Sequence, residues 1–401
     1  MNTSRPANTF SPLYFLASVG AGGLSVTFFM YLLFWVPHKG RSVPVFEDIL
    51  SAFNTGPTAL QFGIAAGMVG IAIMTFLNLK YLVWSLTNYN AFRKTEKFQE
   101  LKNSNGETTI LAMPLALAMS VNVLFIAGLV FVPGLWSVVE YLFPFAMAAF
   151  LAIGVVTLSI IGDFLGRVLT KGGVFDVTAH NSFAQLLPAF ALAMVAVGFS
   201  APAAMSANTV VVGVSMVGST FFGIASLVYG TLALFTAFSS MLHYGTSEEA
   251  APTLMIVVPI LTTLGIMFLR QSHGLHVTFD VHGSAGETMV FLSRILAVQF
   301  VFLGLGLTVL ARQGYWKDYV FGSKTSPGSY ALICPGVALS VMVQFLLNSG
   351  LVATGIIDKF SVTYWIITAI AIGFQMTMVA ALVRLNRQHF GKVDAVAVAA
   401  E

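Results

Sequence analysis

The sequence predicts an all-α integral membrane protein with ten spans, and three observations carry that prediction. Of the 401 residues, 57% are hydrophobic and only 9% are charged, far from the balance of a soluble domain. The apolar residues gather into ten runs of eighteen or more, each long enough to cross a hydrocarbon layer of about 30 Å at 1.5 Å per residue. Runs of this length exceed a barrel strand, so each must satisfy its backbone as a helix.

In chain order the runs fall at roughly 13–36, 58–79, 110–132, 138–162, 183–200, 209–240, 252–269, 288–311, 328–350 and 361–383. The first has a short polar lead with Arg5 and no small-residue cleavage site, and reads as a retained helix. The second carries Gly63 and Gly67, a small-xxx-small pair suited to close packing. The third, fifth, seventh and ninth each hold a proline shortly after entry: Pro114, Pro188, Pro259 and Pro335, about 75 residues apart. That interval is one helical hairpin, so the chain reads as a single transmembrane domain of five hairpins around a quasi-fivefold central axis. The first run has "GAGG" at 20–23, which includes Gly22 and Gly23, in place of a proline.

The fourth run carries Pro144 and ends with Asp163 and Arg167, four apart and placed for a local ion pair. The sixth is rich in small residues between Gly213 and Gly223. The stretch 270–287, "RQSHGLHVTFDVHGSAGE", reads as a glycine-rich outer loop, with His273, His276, His282 and Asp280 as the less favoured option of zinc ligands. Its end supplies Ser284 and Glu287 as a capping box for the eighth run. Arg294, inside that run, reads as snorkelling to the interface.

Thirteen Lys and Arg fall on the side of the chain ends, against Lys39, Arg41, Arg270 and Lys359 on the other. The bias puts both termini in the cytoplasm of a multi-pass cell-membrane protein, a bacterial inner membrane if the source is prokaryotic. The net charge of +3 is a topology signal and gives no nucleic-acid patch.

The prolines carry the functional reading. In lipid, a proline frees a carbonyl that must be satisfied by protein or water. Four kinks at one depth are most easily satisfied around a shared, partly hydrated conduit. None of the five odd runs, as bounded above, contains Asp, Glu, Lys or Arg. The axis is therefore expected to be lined by Gly22, Gly23, the four prolines, Ser18, Ser25, Ser120, Asn122, Thr262, Thr263, Ser340 and Gln344. Cation paths show acidic rings or a carbonyl filter, and neither is present, which favours a small anion.

The arrangement resembles the tellurite-resistance/dicarboxylate transporter superfamily, which includes the bacterial TehA channels and the plant slow anion channels. The segment "APTLMIVVPILTTLG" at 251–265 is similar to that family's seventh helix, and Pro188 and Pro335 fall where it kinks its fifth and ninth. The resemblance implies a pore along the axis of the odd helices, a homotrimer with one pore per subunit, passage of small anions, and an occluding phenylalanine just ahead of the kink in the ninth helix; no cofactor is expected. Here Cys334 stands before Pro335, so Cys334, Phe345, Phe125 and Phe190 are the gate candidates. The "ICPG" segment is similar to the divergent TsoY-type branch. Cys334 is the only cysteine, read either as an apolar filler or as a pore-facing thiol suited to sulfur- or selenium-bearing anions.

Two other functions compete with this one. An ion-coupled organic-anion or dicarboxylate transporter needs buried titratable or basic groups on the inner helices. A quinone-interacting subunit of a redox complex needs only an apolar cleft and a polar group or two. Bis-histidine haem is excluded by histidines placed at helix edges and loops, and no nucleotide-binding or hydrolase motif occurs, so the chain is expected not to be an enzyme.

Overall fold

The computed structural model describes residues 7–171, 175–178 and 181–390, which leaves Arg5, His180 and Lys392 outside the described residues. Ten helices are long and apolar enough to cross a membrane: α1 (Pro12–Trp35), α2 (Thr58–Phe92), α3 (Asn105–Phe131), α4 (Leu135–Lys171), α5 (Phe183–Met205), α6 (Thr209–Tyr244), α7 (Ala251–Phe279), α8 (Ala285–Arg312), α9 (Pro327–Val352) and α10 (Val362–Phe390). No strand occurs among the described residues. The protein is an all-α, multi-pass membrane protein.

The odd helices form an inner ring. Each touches the odd helix before and after it, and α9 closes onto α1. Between 56% and 94% of the most apolar window of each odd helix is buried, against 22% to 33% for the even helices. The even helices stand in the outer grooves, each across two inner neighbours, and turn residues such as Phe62, Phe145, Phe235 and Val301 outward. Exposed apolar side chains in this number suit a hydrocarbon surround. The ends of α1 and α10 meet at one face, where the Tyr14 hydroxyl lies 3.2 Å from His389 Nδ1.

Local chemistry explains each inner helix. Every odd helix begins with a 3₁₀ segment and then passes into α-helix: Pro12–Tyr14 into Phe15–Trp35, Asn105–Leu111 into Ala112–Phe131, Phe183–Leu186 into Leu187–Phe199, Ala251–Met255 into Val257–Phe279, and Pro327–Leu332 into Ile333–Phe345. The 3₁₀ leads of α1, α3, α5 and α9 are capped by the side chains of Ser11, Ser104, Ser182 and Ser326.

This corrects the expectation of kinks within the helices. Pro114, Pro188, Pro259 and Pro335 sit in the first turn of their α segments, where a missing N–H removes little and the fixed φ suits the start. The "GAGG" stretch does not interrupt α1 either, which runs unbroken over Phe15–Trp35. Close packing is what it serves: a Cβ on Gly23 would lie 2.8 Å from Val337 of α9.

The outer helices are longer than their apolar runs, because helix continues past the membrane into polar sequence that hydropathy does not register. α2 reaches Phe92, α4 reaches Lys171 and α10 reaches Phe390. Arg167 pairs with Glu107, at the head of α3, and not with Asp163, so the expected local ion pair is replaced by one that ties α4 to the inner ring. Gly63 brings α2 against Trp35, from which a Cβ there would be 2.9 Å. The Ser284–Glu287 capping box that opens α8 is present as expected, and Arg294 is exposed on the outer surface of that helix.

Candidate functional site: a basic cavity inside the inner ring

The inner ring encloses a cavity of about 880 Å³ that opens at the face opposite the chain ends. All five odd helices contribute to its wall, with Phe143, Ala146 and Phe150 of α4 filling one seam. Its lower half is mostly apolar, formed by Val19, Gly23, Met119, Met194 and Val337 with Asn122, Thr262 and Thr263 as its polar groups, and ends at Phe190 and Cys334. Those two side chains also bound a void of about 10 Å³ on the other side, next to Leu16, Leu187 and Ile256. That void holds at most about one water, so Phe190 and Cys334 form a closed floor.

The upper half is basic. Arg270 lies on the wall, His273 and His276 follow it outward along α7, and His38, Lys39 and Lys359 stand at the mouth. No Asp or Glu belongs to the lining among the described residues. Lys39, Arg270 and Lys359 have no carboxylate within 4.0 Å among the described residues. Three uncompensated cations in one concave space give it a positive potential, which the low-dielectric wall focuses. Partial burial lowers the Lys359 ammonium from the ordinary lysine value.

Of the residues selected from sequence, Gly23, Asn122, Pro259, Thr262, Thr263 and Cys334 line the cavity, and so do the gate candidates Phe125, Phe190 and Phe345. Gly22, Pro114, Ser120, Pro188, Pro335 and Gln344 do not, and neither do Ser18, Ser25 and Ser340. The physical reason is helix-to-helix bonding. Ser18 Oγ donates to the Asn78 carbonyl of α2 at 2.9 Å, and Asn78 Nδ2 donates back to the Ser18 carbonyl at 2.8 Å. Ser25 meets Thr75 of α2 at 3.3 Å, and Ser120 turns back on the Ala116 carbonyl of its own helix at 2.9 Å. Gly22 faces Met119 and Asn78, where a side chain would collide. In a dry helix bundle a hydroxyl is worth most where it bonds a neighbouring backbone, and the pattern reflects that.

The same logic supplies a group the sequence reading missed. Gln299, fully buried on α8, donates through Nε2 to the Val258 carbonyl at 2.8 Å and to Thr262 Oγ1 at 2.7 Å, securing the first turn of α7 beside Pro259.

The larger omission is Arg270. The inner helices are not charge-free, because α7 continues through Arg270 to Phe279 and half of the expected 270–287 loop is helix. His273 and His276 are therefore helical as well. Helical phase was the available signal: Pro259, Thr263, Ile266, Arg270 and His273 recur every three or four residues and lie on one face. Asn348 was missed too. It lines the wall from a π-helical segment, Leu346–Val352, with its Oδ1 accepting from the Tyr364 hydroxyl at 3.0 Å. Irregular helix of this kind concentrates at functional sites. At the outer edge His276 and His282 approach to 3.2 Å, and His282 lies 3.3 Å from Asp280. No group of three or more His, Cys, Asp or Glu able to hold a metal occurs among the described residues.

Compared with known proteins, the chain matches no family model and no curated protein.

Proposed function

We propose that the chain is a membrane channel or facilitator for small anions, sulfur- and selenium-bearing ones among them. The path follows the axis of α1, α3, α5, α7 and α9. The observation that carries this reading is a ring-enclosed cavity whose upper wall holds three cations and no carboxylate. An anion entering it gains the potential of Lys39, Lys359 and Arg270 without displacing a paired carboxylate, whereas a cation is repelled. The floor at Phe190 and Cys334 is the constriction of a closed state.

The Lys/Arg bias supports an orientation with the chain ends in the cytoplasm and the cavity mouth on the outer face of the cell membrane. The similarity to the tellurite-resistance/dicarboxylate transporter superfamily supports the same reading and adds a homotrimer with a path in each subunit. No catalytic constellation enters the proposal, which gives the chain a transport role and no enzymatic one.

Arg270 favours a second reading, an ion-coupled organic-anion transporter, since it places on an inner helix the basic group such a site requires. One experiment separates the two. Purified protein in liposomes is expected to pass anions down an imposed membrane potential with no proton or sodium gradient. Flux that appears only with such a gradient would select the coupled transporter, and absence of anion flux under both conditions would reject transport of anions altogether.

A further inference from the structure

Arg270 differs from the other cations of the cavity in being held. It sits eleven residues beyond Pro259 on the cavity face of α7, ~16 Å farther along the helix at 1.5 Å per residue. Its Nη1 donates to the Val197 carbonyl of α5 at 2.6 Å, across the seam between two inner helices. That bond anchors one end of the guanidinium to the wall. The Nε and Nη2 groups have no acceptor among the described residues, and neither is sealed from solvent. These two N–H groups lie side by side on the same edge of the guanidinium, so the edge away from the Val197 bond is a pair of parallel donors on a side chain that lines the cavity.

A guanidinium edge matches two oxygens carried on one face of a planar or tetrahedral anion, and makes two parallel charge-assisted hydrogen bonds to them. A halide offers one centre and can use that geometry only in part. We propose that the Nε–Nη2 edge of Arg270 is a docking site for small oxyanions, carboxylates or inorganic oxyanions alike, in preference to halides. Lys39 and Lys359, compact ammonium groups at the mouth, attract either kind of anion and contribute no such preference. The inference deepens the anion-path reading and rests on it.

The test measures nitrate, acetate and chloride in parallel on the full chain in liposomes. The wild type is expected to favour nitrate and acetate over chloride. Arg270→Lys keeps the charge and removes the fork. It is expected to lower both oxyanion-to-chloride ratios about tenfold, the loss of one charge-assisted hydrogen bond, while chloride flux changes less than about twofold. Loss of the nitrate preference alone, or of the acetate preference alone, would assign the site to inorganic oxyanions or to carboxylates respectively. Unchanged ratios in Arg270→Lys would overturn the proposal and leave the anion path standing, whereas a wild type that passes none of the three ions would count against the path itself.

A second measurement needs no variant to fold. Phenylglyoxal modification of Arg270 in the wild type, read by peptide mass spectrometry, is expected to be slowed by nitrate and acetate and not by chloride at equal ionic strength. Equal protection by chloride would also overturn the proposal.

Discussion

The ion pair between Arg167 and Glu107 makes a demanding prediction, because it replaces one that the sequence favoured. Glu107 sits in the 3₁₀ lead of α3 with 1% of its side chain exposed, and Arg167 on α4 retains 18%. Glu107→Gln leaves a guanidinium in a site built for a carboxylate. Breaking one side of a buried pair costs about 3–5 kcal/mol, and the residual exposure of Arg167 sets the expectation at the lower end, about 3 kcal/mol. The double variant Glu107→Leu with Arg167→Met removes both charges and is expected to recover most of that loss. Asp163→Asn is expected to change nothing measurable, since Asp163 is exposed and Arg167 is engaged elsewhere. Thermal unfolding of the four detergent-purified proteins, followed by size-exclusion recovery after heating, reads all of this in one series. The reasoning is refuted if Asp163→Asn destabilises as much as Glu107→Gln, or if the double variant is less stable than Glu107→Gln.

Further expectations test the floor, the mouth and the wall. Phe190→Ala should raise anion flux and Cys334→Phe should lower it; a barrier reduced by only ~1.4 kcal/mol already gives a tenfold rise, well within reach of a liposome assay. Because burial lowers the Lys359 ammonium, that charge is lost below the usual 10.5 as pH rises. Anion entry should therefore fall as the pH on the mouth side climbs through the alkaline range, and Lys359→Gln should remove that part of the dependence. Gln299→Leu removes two hydrogen bonds while Thr262 keeps its contacts to the Val258 and Ala338 carbonyls, and should cost about 1 kcal/mol of stability in thermal unfolding. Gly63→Leu should lower folded yield with little effect on the ion selectivity of what survives, since the position packs α2 against Trp35 and neither residue lines the cavity.

What was legible in the sequence was whatever depends on short-range chemistry. Apolar run length determines ten spans, since a helix is the only way to satisfy each backbone in lipid. A proline at a fixed place in alternate spans marks the hairpin period, and Ser284 with Glu287 marks the start of α8. The odd-inside, even-outside arrangement was also readable, through that period. Facing was not. A serine in an apolar run has the same signature whether it lines a cavity, bonds the next helix as Ser18 and Ser25 do, or turns back on its own helix as Ser120 does. Nor did hydropathy find the end of α7, because an arginine ends an apolar run without ending a helix. Only the packing of α7 against α5 decided that Arg270 stands inside the ring with a carbonyl to hold it, and only the closure of α9 onto α1 brought Cys334 level with Phe190. Both depend on contacts between residues far apart in the chain, about which a local pattern carries no information.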